Sequence, residues 1–224
     1  MSMARAHQRS GGRERRRWWA RPLRWWYTLA FAGGVLSAPF GFAGNQKEEA
    51  LADSIRVALH NTIMDARPPK PRFSDPSEQQ SYNAWLGGMS QRLKRKLPDE
   101  QVRIEFLETV WYEARRAGLE PGLVLGLIQV ESAYRKYAVS IVGARGYMQV
   151  MPFWTRAIGN SNEASLFHMQ TNLRFGCVIM RHYLDIEKGD VVMALGRYNG
   201  SRGQAPYPNA VLACRKQWLM PGER

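Results

Sequence analysis

The sequence predicts a mainly α-helical domain with at most a small β-excursion. Three observations carry this. Apolar residues recur at three- and four-residue spacing through most of the chain after residue 45. Capping and stop residues bound those stripes, as Asp99, Gly118 and Pro121 do. The one extended stretch without helical period, 137–149, is glycine-bearing and short.

The elements follow in order. Residues 1–44 hold eight arginines against Glu14 alone, a net +7 of the chain's +13, and from Trp25 to Ala43 there is no charged residue. A basic start, an apolar run and small residues at Gly41-Phe42-Ala43-Gly44 predict a signal peptide over 1–43, cut after Ala43. An uncleaved membrane anchor through 25–43 is the alternative, since the run approaches the ~20 residues that span a bilayer. Either way the domain is exported, and a periplasmic location follows. Residues 44–98 form a helical extension interrupted by the proline-rich linker 67–77, with Leu51, Ile55, Leu59 and Ile63 striping one helix over Lys47 to Met64. A second stripe at Tyr82, Trp85, Leu86, Met89, Leu93 and Leu97 gives a helix stopped at Pro98.

The main domain is expected over 99–219, with 220–224 as a tail. Asp99 caps a helix whose buried face is Val102, Phe106, Val110, Trp111 and Ala114, and Gly118 ends it. Pro121 opens the next, Pro121 to Ser132, which is apolar nearly all round and therefore central. Helices are further expected over Thr171 to Tyr183, Val191 to Tyr198 and Asn209 to Leu219, with Gln204 to Pro208 extended.

Charge and cysteines narrow the function classes. The excess outside the export segment is only +6 and no nucleic-acid motif is present, so nucleic acid is not the expected partner. Cys177 and Cys214, an even pair in an exported domain, predict one disulfide, against the alternative of two buried free thiols. Two cysteines without a histidine pair make no zinc pattern, so no metal and no cofactor is expected.

Glu131 is the residue that invites chemistry. Burial and the negative end of a helix dipole both disfavour its anion, which raises its pKa and makes a general acid near neutral pH. Against this stands a glutamate that opens the next loop and pairs with Arg135 or Arg145. The surrounding string decides: Val130-Glu131-Ser132, Ala138-Val139-Ser140, then Gly143-Ala144-Arg145-Gly146-Tyr147-Met148-Gln149-Val150-Met151-Pro152, with Thr171-Asn172-Leu173 and Tyr198-Asn199-Gly200 downstream. This ordered set resembles the signature of the soluble lytic transglycosylase family, whose fold is that of goose-type lysozyme.

The resemblance implies a lysozyme-like α+β domain with a substrate cleft, acting on peptidoglycan glycan strands. Glu131 would be the single acid/base, cleaving between N-acetylmuramic acid and N-acetylglucosamine without water to leave 1,6-anhydro ends. Ser140 would bond substrate beside the cleaved sugar, or simply cap its own turn. Gly143 and Gly146 would admit the sugar chain, Met148 would line the cleft floor, and Gln149 would offer its amide to an N-acetyl group. Tyr198 would direct its hydroxyl at Glu131 or the substrate, Asn199 would hold the local turn, and Asn172 would contact substrate or cap a helix. Departures lie at Tyr147, where the family most often has Leu, at Phe153-Trp154 and at Ser201. A second carboxylate is not evident: Asp185, Glu187, Asp190 and Glu163 read as solvated surface. The competing readings are a hydrolytic lysozyme-type muramidase and a non-catalytic wall-binding or envelope-assembly module, with any envelope-machine partner unknown.

Overall fold

Asp75 starts the first described helix, its Oδ1 accepting the Ser77 N–H at 2.8 Å while Pro76 takes the first turn, where a missing N–H is harmless. This helix, α1, spans Pro76–Leu93 in a computed structural model that describes residue 46 and residues 68–157 and 162–222. The export segment and the Leu51–Ile63 stripe lie outside the described residues. α1 buries Tyr82, Trp85, Met89 and Leu93, the face its stripe predicts.

Asp99 caps α2, Glu100–Arg116, through the Val102 N–H at 3.0 Å. Its inner face is rotated from the expected one. Val102 is 39% exposed, and Leu107 is fully buried beside Phe106, Val110 and Ala114. Arg103, on the same inner face, explains the rotation: its guanidinium donates to Ser90 Oγ at 2.9 Å and to the Leu97 and Pro98 carbonyls at 2.7 and 3.0 Å, locking the corner between α1 and α2. Gly118, at φ +64°, turns the chain out of α2 as a left-handed cap.

α3, Pro121–Ser132, is the central helix. Leu123, Val124, Leu125, Leu127 and Ile128 are all at most 6% exposed. Each such side chain contributes roughly 1.5–3 kcal/mol on burial, enough together to carry one awkward carboxyl at the helix end. After an irregular loop come α4, Phe153–Ala157, a 3-10 turn at Glu163–Phe167, α5, Met169–Ile186, and α6, Val191–Asn199, capped by Asp190 on the Met193 N–H at 3.0 Å. α7 is Pro206–Arg215, and a 3-10 turn at Lys216–Trp218 closes the described chain. No strand occurs among the described residues; the β-excursion is reduced to isolated bridges, Val139 with Arg145 and Arg145 with Val150. No helix among them is long and apolar enough to cross a membrane.

The end of the chain differs from expectation. Pro206, Tyr207 and Pro208 are not extended but form the first turn of α7, because proline's fixed φ suits that position. α7 lies directly on α3. A Cβ on Gly126 would come within 2.7 Å of the Arg215 backbone nitrogen, so glycine is what admits the crossing. Arg215 to Glu120 at 2.7 Å and Trp218 Nε1 to Gln129 at 2.7 Å fasten the pair.

The expected disulfide is not formed. Cys177 and Cys214 are both free. Cys177 faces the core from α5, within electrostatic range of Glu113 and Tyr198, whereas Cys214 on α7 neighbours Tyr134. Burial pushes both thiols up, so they behave as inert apolar groups.

Candidate active site

Glu131 occupies the last turn of α3, and the chain leaves the helix abruptly behind it. Ala133 and Tyr134 take left-handed backbone angles, φ 49° and 65°, which cost energy in non-glycine residues and persist only where the surroundings impose them. Tyr134 supplies the constraint: it is 3% exposed, its hydroxyl donates to the Leu125 carbonyl at 3.0 Å, and its ring stands edge-on to Phe106 and Trp218.

The Glu131 side chain is buried. One carboxyl oxygen, Oε1, accepts a short hydrogen bond from the Tyr207 hydroxyl. The other, Oε2, is buried with no partner among the described residues. Desolvation pushes the carboxyl up to about 8, against the opposing Tyr207 bond, so Glu131 is mainly protonated at pH 7. The pairings with Arg135 or Arg145 do not form. Arg145 binds Glu163 at 2.9 Å and Arg135 donates to the Ser132 carbonyl at 3.0 Å.

The loop from 138 to 151 is folded on itself and pinned from α5. Gly146 N–H donates to the Ala138 carbonyl at 2.9 Å, and Arg145 and Val150 exchange two bonds at 3.0 Å. Asn172 makes three further bonds at 2.8 Å. Its Oδ1 accepts from Met148 N–H, and its Nδ2 donates to the Arg145 and Leu166 carbonyls. Gly146, at φ +77°, is required here, since a Cβ would meet Asn172 Nδ2 at 2.3 Å.

Several expected substrate contacts therefore have internal partners. Asn172 is fully buried and holds the loop, neither capping a helix nor presenting its amide outward. The Gln149 amide donates to the Ala138 and Gly146 carbonyls at 3.1 and 3.0 Å, with its backbone left-handed at φ 48°. Met148 packs on Gly176, where a Cβ would meet its sulfur at 2.3 Å. Ser140 Oγ accepts the Ala144 N–H at 3.0 Å, the turn alternative, and is half-buried; Gly143, at φ +88°, forms the same turn. The Tyr198 hydroxyl lies within electrostatic range of Glu131 but donates to the Met148 carbonyl at 2.8 Å. Asn199 Nδ2 donates to Ser201 Oγ at 3.0 Å, which ties its own turn and gives Ser201 a role.

Two residues were not legible in the sequence. Tyr207, between two prolines, reaches Glu131 because α7 crosses α3 at Gly126; proline at a helix N-terminus is the signal that would have put it on a helix. Gln46 is buried against this region, its Oε1 accepting from Trp154 Nε1 at 2.9 Å and Met151 N–H at 3.3 Å, and its side chain bonding Tyr198. Trp154, one of the unusual residues after Pro152, is fully buried as the other half of that contact.

Four other carboxylates are engaged elsewhere. Glu187, expected to be solvated, has a buried side chain held by Arg197 and Arg202 at 2.7 and 2.6 Å; the Arg202 bond is the chief cause that lowers it to about 2. Glu163 is paired with Arg145 and Arg156, and Asp185 with Arg181 at 2.6 Å. Glu113 is buried but ion-paired with Arg174 at 2.9 Å. Among the described residues no cluster of His, Cys, Asp and Glu has metal-site geometry.

The family model described as transglycosylase SLT domain matches residues 108–209, which include Glu131, the whole 138–151 loop, Asn172, Tyr198 and Tyr207. The chain is 34% identical over 102 residues to the transglycosylase of Enterobacteria phage PRD1, covering 46% of this chain and 37% of that protein. It is 50% identical over 48 residues to membrane-bound lytic murein transglycosylase C of Actinobacillus pleuropneumoniae serotype 5b, covering 21% of this chain and 13% of that one. A solved structure of an inactive mutant of lytic transglycosylase Slt from Pseudomonas aeruginosa aligns with 77% of this chain and 36% of its own, at 17% identity and a TM-score of 0.41. The chain thus spans well under half the length of each of these relatives. Residues 108–209, a little under half of the chain, are thus similar to the transglycosylase SLT domain.

Proposed function

We propose that the chain is a lytic transglycosylase that cleaves the bond between N-acetylmuramic acid and N-acetylglucosamine in peptidoglycan, with Glu131 as its single acid and base. The observation that carries this is a buried carboxyl, held up to about 8, with one oxygen on Tyr207 and the other unpartnered. A hydrolase with two working carboxylates needs a second one facing the first. Glu113, Glu163, Asp185 and Glu187 are ion-paired elsewhere and Asp190 caps α6, which favours a one-carboxylate route.

In that route Glu131 gives its proton to the glycosidic oxygen, and the N-acetylglucosamine side leaves as an alcohol. The acetamide oxygen of the muramic acid bonds to C1 and takes up the positive charge. Glu131, now a carboxylate steadied by the Tyr207 hydroxyl, removes the proton from the C6 hydroxyl. O6 then bonds to C1 as the acetamide leaves, which closes the 1,6-anhydro ring and returns the proton to Glu131. No water is consumed. The burial that raises the pKa for the first step also keeps the carboxylate basic enough for the second. The apolar run at 25–43 and relatives named as membrane-bound murein enzymes support a place in the envelope, on the periplasmic side.

Digestion of purified sacculi followed by mass spectrometry tests the reading. The expected muropeptides end in 1,6-anhydro sugar. Products heavier by one water would overturn the transglycosylase reaction in favour of hydrolysis.

A further inference from the structure

A pocket of about 450 Å³ opens at the N-terminal end of α3, lined in part by Pro121 and Gly122. Glu131 lies ten residues further along that helix, about 15 Å away at 1.5 Å per residue. The pocket is therefore separate from the site described above, and it is built differently.

Its walls are aromatic: Phe73 comes from the segment before α1, Tyr82 and Trp85 from α1, and Trp111 from α2. Tyr82 and Trp85 stack within 23° at 6.4 Å, and Trp111 stands edge-on to Tyr82 at 4.9 Å. Tyr82 and Trp85 are buried in the wall, while Phe73 and Trp111 are half-buried and keep part of their ring surface open. The Tyr82 hydroxyl is buried with no partner among the described residues, an unused hydrogen-bonding group in the pocket wall.

The rim carries two guanidiniums, Arg72 and Arg115, the latter 5.8 Å over the Trp111 ring. Neither makes an ion pair among the described residues. Glu120, also lining the pocket, is held by Arg215 at 2.5 Å, which leaves Glu78 to set against the two cations. Flat aromatic surface with an excess of unpaired guanidinium complements a ligand that has an apolar ring face and a carboxylate.

Resting on the substrate reading above, we propose that this pocket is a second glycan-binding site that takes a carboxylate-bearing N-acetylated pyranose, the muramic acid of a strand other than the one being cut. The half-buried Phe73 and Trp111 rings stack on the sugar's C–H face, and Arg72 and Arg115 bind the lactyl carboxylate. Such a site keeps an insoluble polymer within reach of the cleft between cuts.

The test uses the full chain carrying Glu131→Gln, so that nothing is turned over. Its probes are peptide-free glycan strands, with chitohexaose as the carboxylate-free control. Strands are expected to bind about tenfold tighter than chitohexaose, and Arg72→Ala with Arg115→Ala should remove about tenfold of strand affinity, in line with loss of charge-assisted hydrogen bonds. Both arginines are exposed, so the fold is expected to survive. Lys94→Ala with Lys188→Ala, an equal charge change at exposed positions outside the pocket, should leave binding within twofold. With Glu131 restored, the arginine double variant should release product from sacculi several-fold more slowly but cut a soluble tetrasaccharide at the normal rate. Unchanged strand affinity, or an equal loss in the lysine control, overturns the proposal. Strand binding that needs the two arginines, from a protein whose Glu131 form yields no anhydro product, supports the pocket and overturns only the transglycosylase reading.

Discussion

Glu131→Gln lowers cleavage of sacculi by about a thousandfold or more and at the same time stabilises the protein at alkaline pH. The activity loss follows from the role: the amide cannot give a proton to the leaving oxygen or take one from the C6 hydroxyl, and general acid–base steps of this kind contribute roughly 10²–10⁴ in rate. The stability gain has a different origin. Folding raises the Glu131 pKa from 4.5 to about 8, so between those values the folded state binds more protons than the unfolded one. Stability from this group is fully present below pH 4.5 and is lost as pH rises through about 8. Gln carries no such titration. Thermal melts of the two proteins should therefore nearly coincide at pH 4 and separate progressively towards pH 9, with the variant melting higher. Equal melting temperatures across that range would mean that Glu131 is not desolvated.

Asn172→Ala is expected to destabilise the fold by about 3–5 kcal/mol, the second large effect. Three hydrogen bonds disappear, and Met148 N–H and the Arg145 and Leu166 carbonyls lose a buried partner, each such loss costing about 1–3 kcal/mol. The damage is local first. Amide hydrogen exchange across 145–151 should quicken in the variant before the rest of the domain responds, because Asn172 supplies that loop's side-chain hydrogen bonds to α5 among the described residues. Cleavage should fall with it, since the Met148 carbonyl in turn accepts the Tyr198 hydroxyl, which lies within electrostatic range of Glu131. An Asn172→Ala protein with wild-type exchange in the loop would contradict the clamp.

How much of this was readable beforehand depends on the range of the interaction. α2 and α3 were legible almost to their ends because Asp99, Gly118 and Pro121 mark them by local backbone chemistry. Glu131 was legible as a candidate for the same reason: a carboxyl at the end of an all-apolar helix is anomalous within twelve residues. Val102 was misplaced because Arg103, a charged residue that periodicity assigns to solvent, is buried by carbonyl partners that only the α1–α2 corner brings near. The disulfide failed for a similar reason, since cysteine parity carries no information about which faces of α5 and α7 the two residues occupy. Tyr198 and Tyr207 show the limit most clearly. The Tyr-Asn-Gly string drew attention to Tyr198, yet the hydroxyl on Glu131 comes from Tyr207, through a helix crossing that depends on Gly126, 81 residues away in sequence. Gln149 and Asn172 were expected at the substrate, but their amides face inward, where they hold Met148 and the loop in place.

The most direct test of the account is the titration of the Glu131 carboxyl itself, followed by carbon NMR of side-chain-labelled glutamate and assigned by the resonance missing from Glu131→Gln. The account predicts a midpoint near 8, set by burial and moderated by the Tyr207 hydroxyl. A midpoint in the ordinary carboxylate range of about 4–5 would contradict it, because Glu131 would then be ionised at neutral pH and unable to act as the acid.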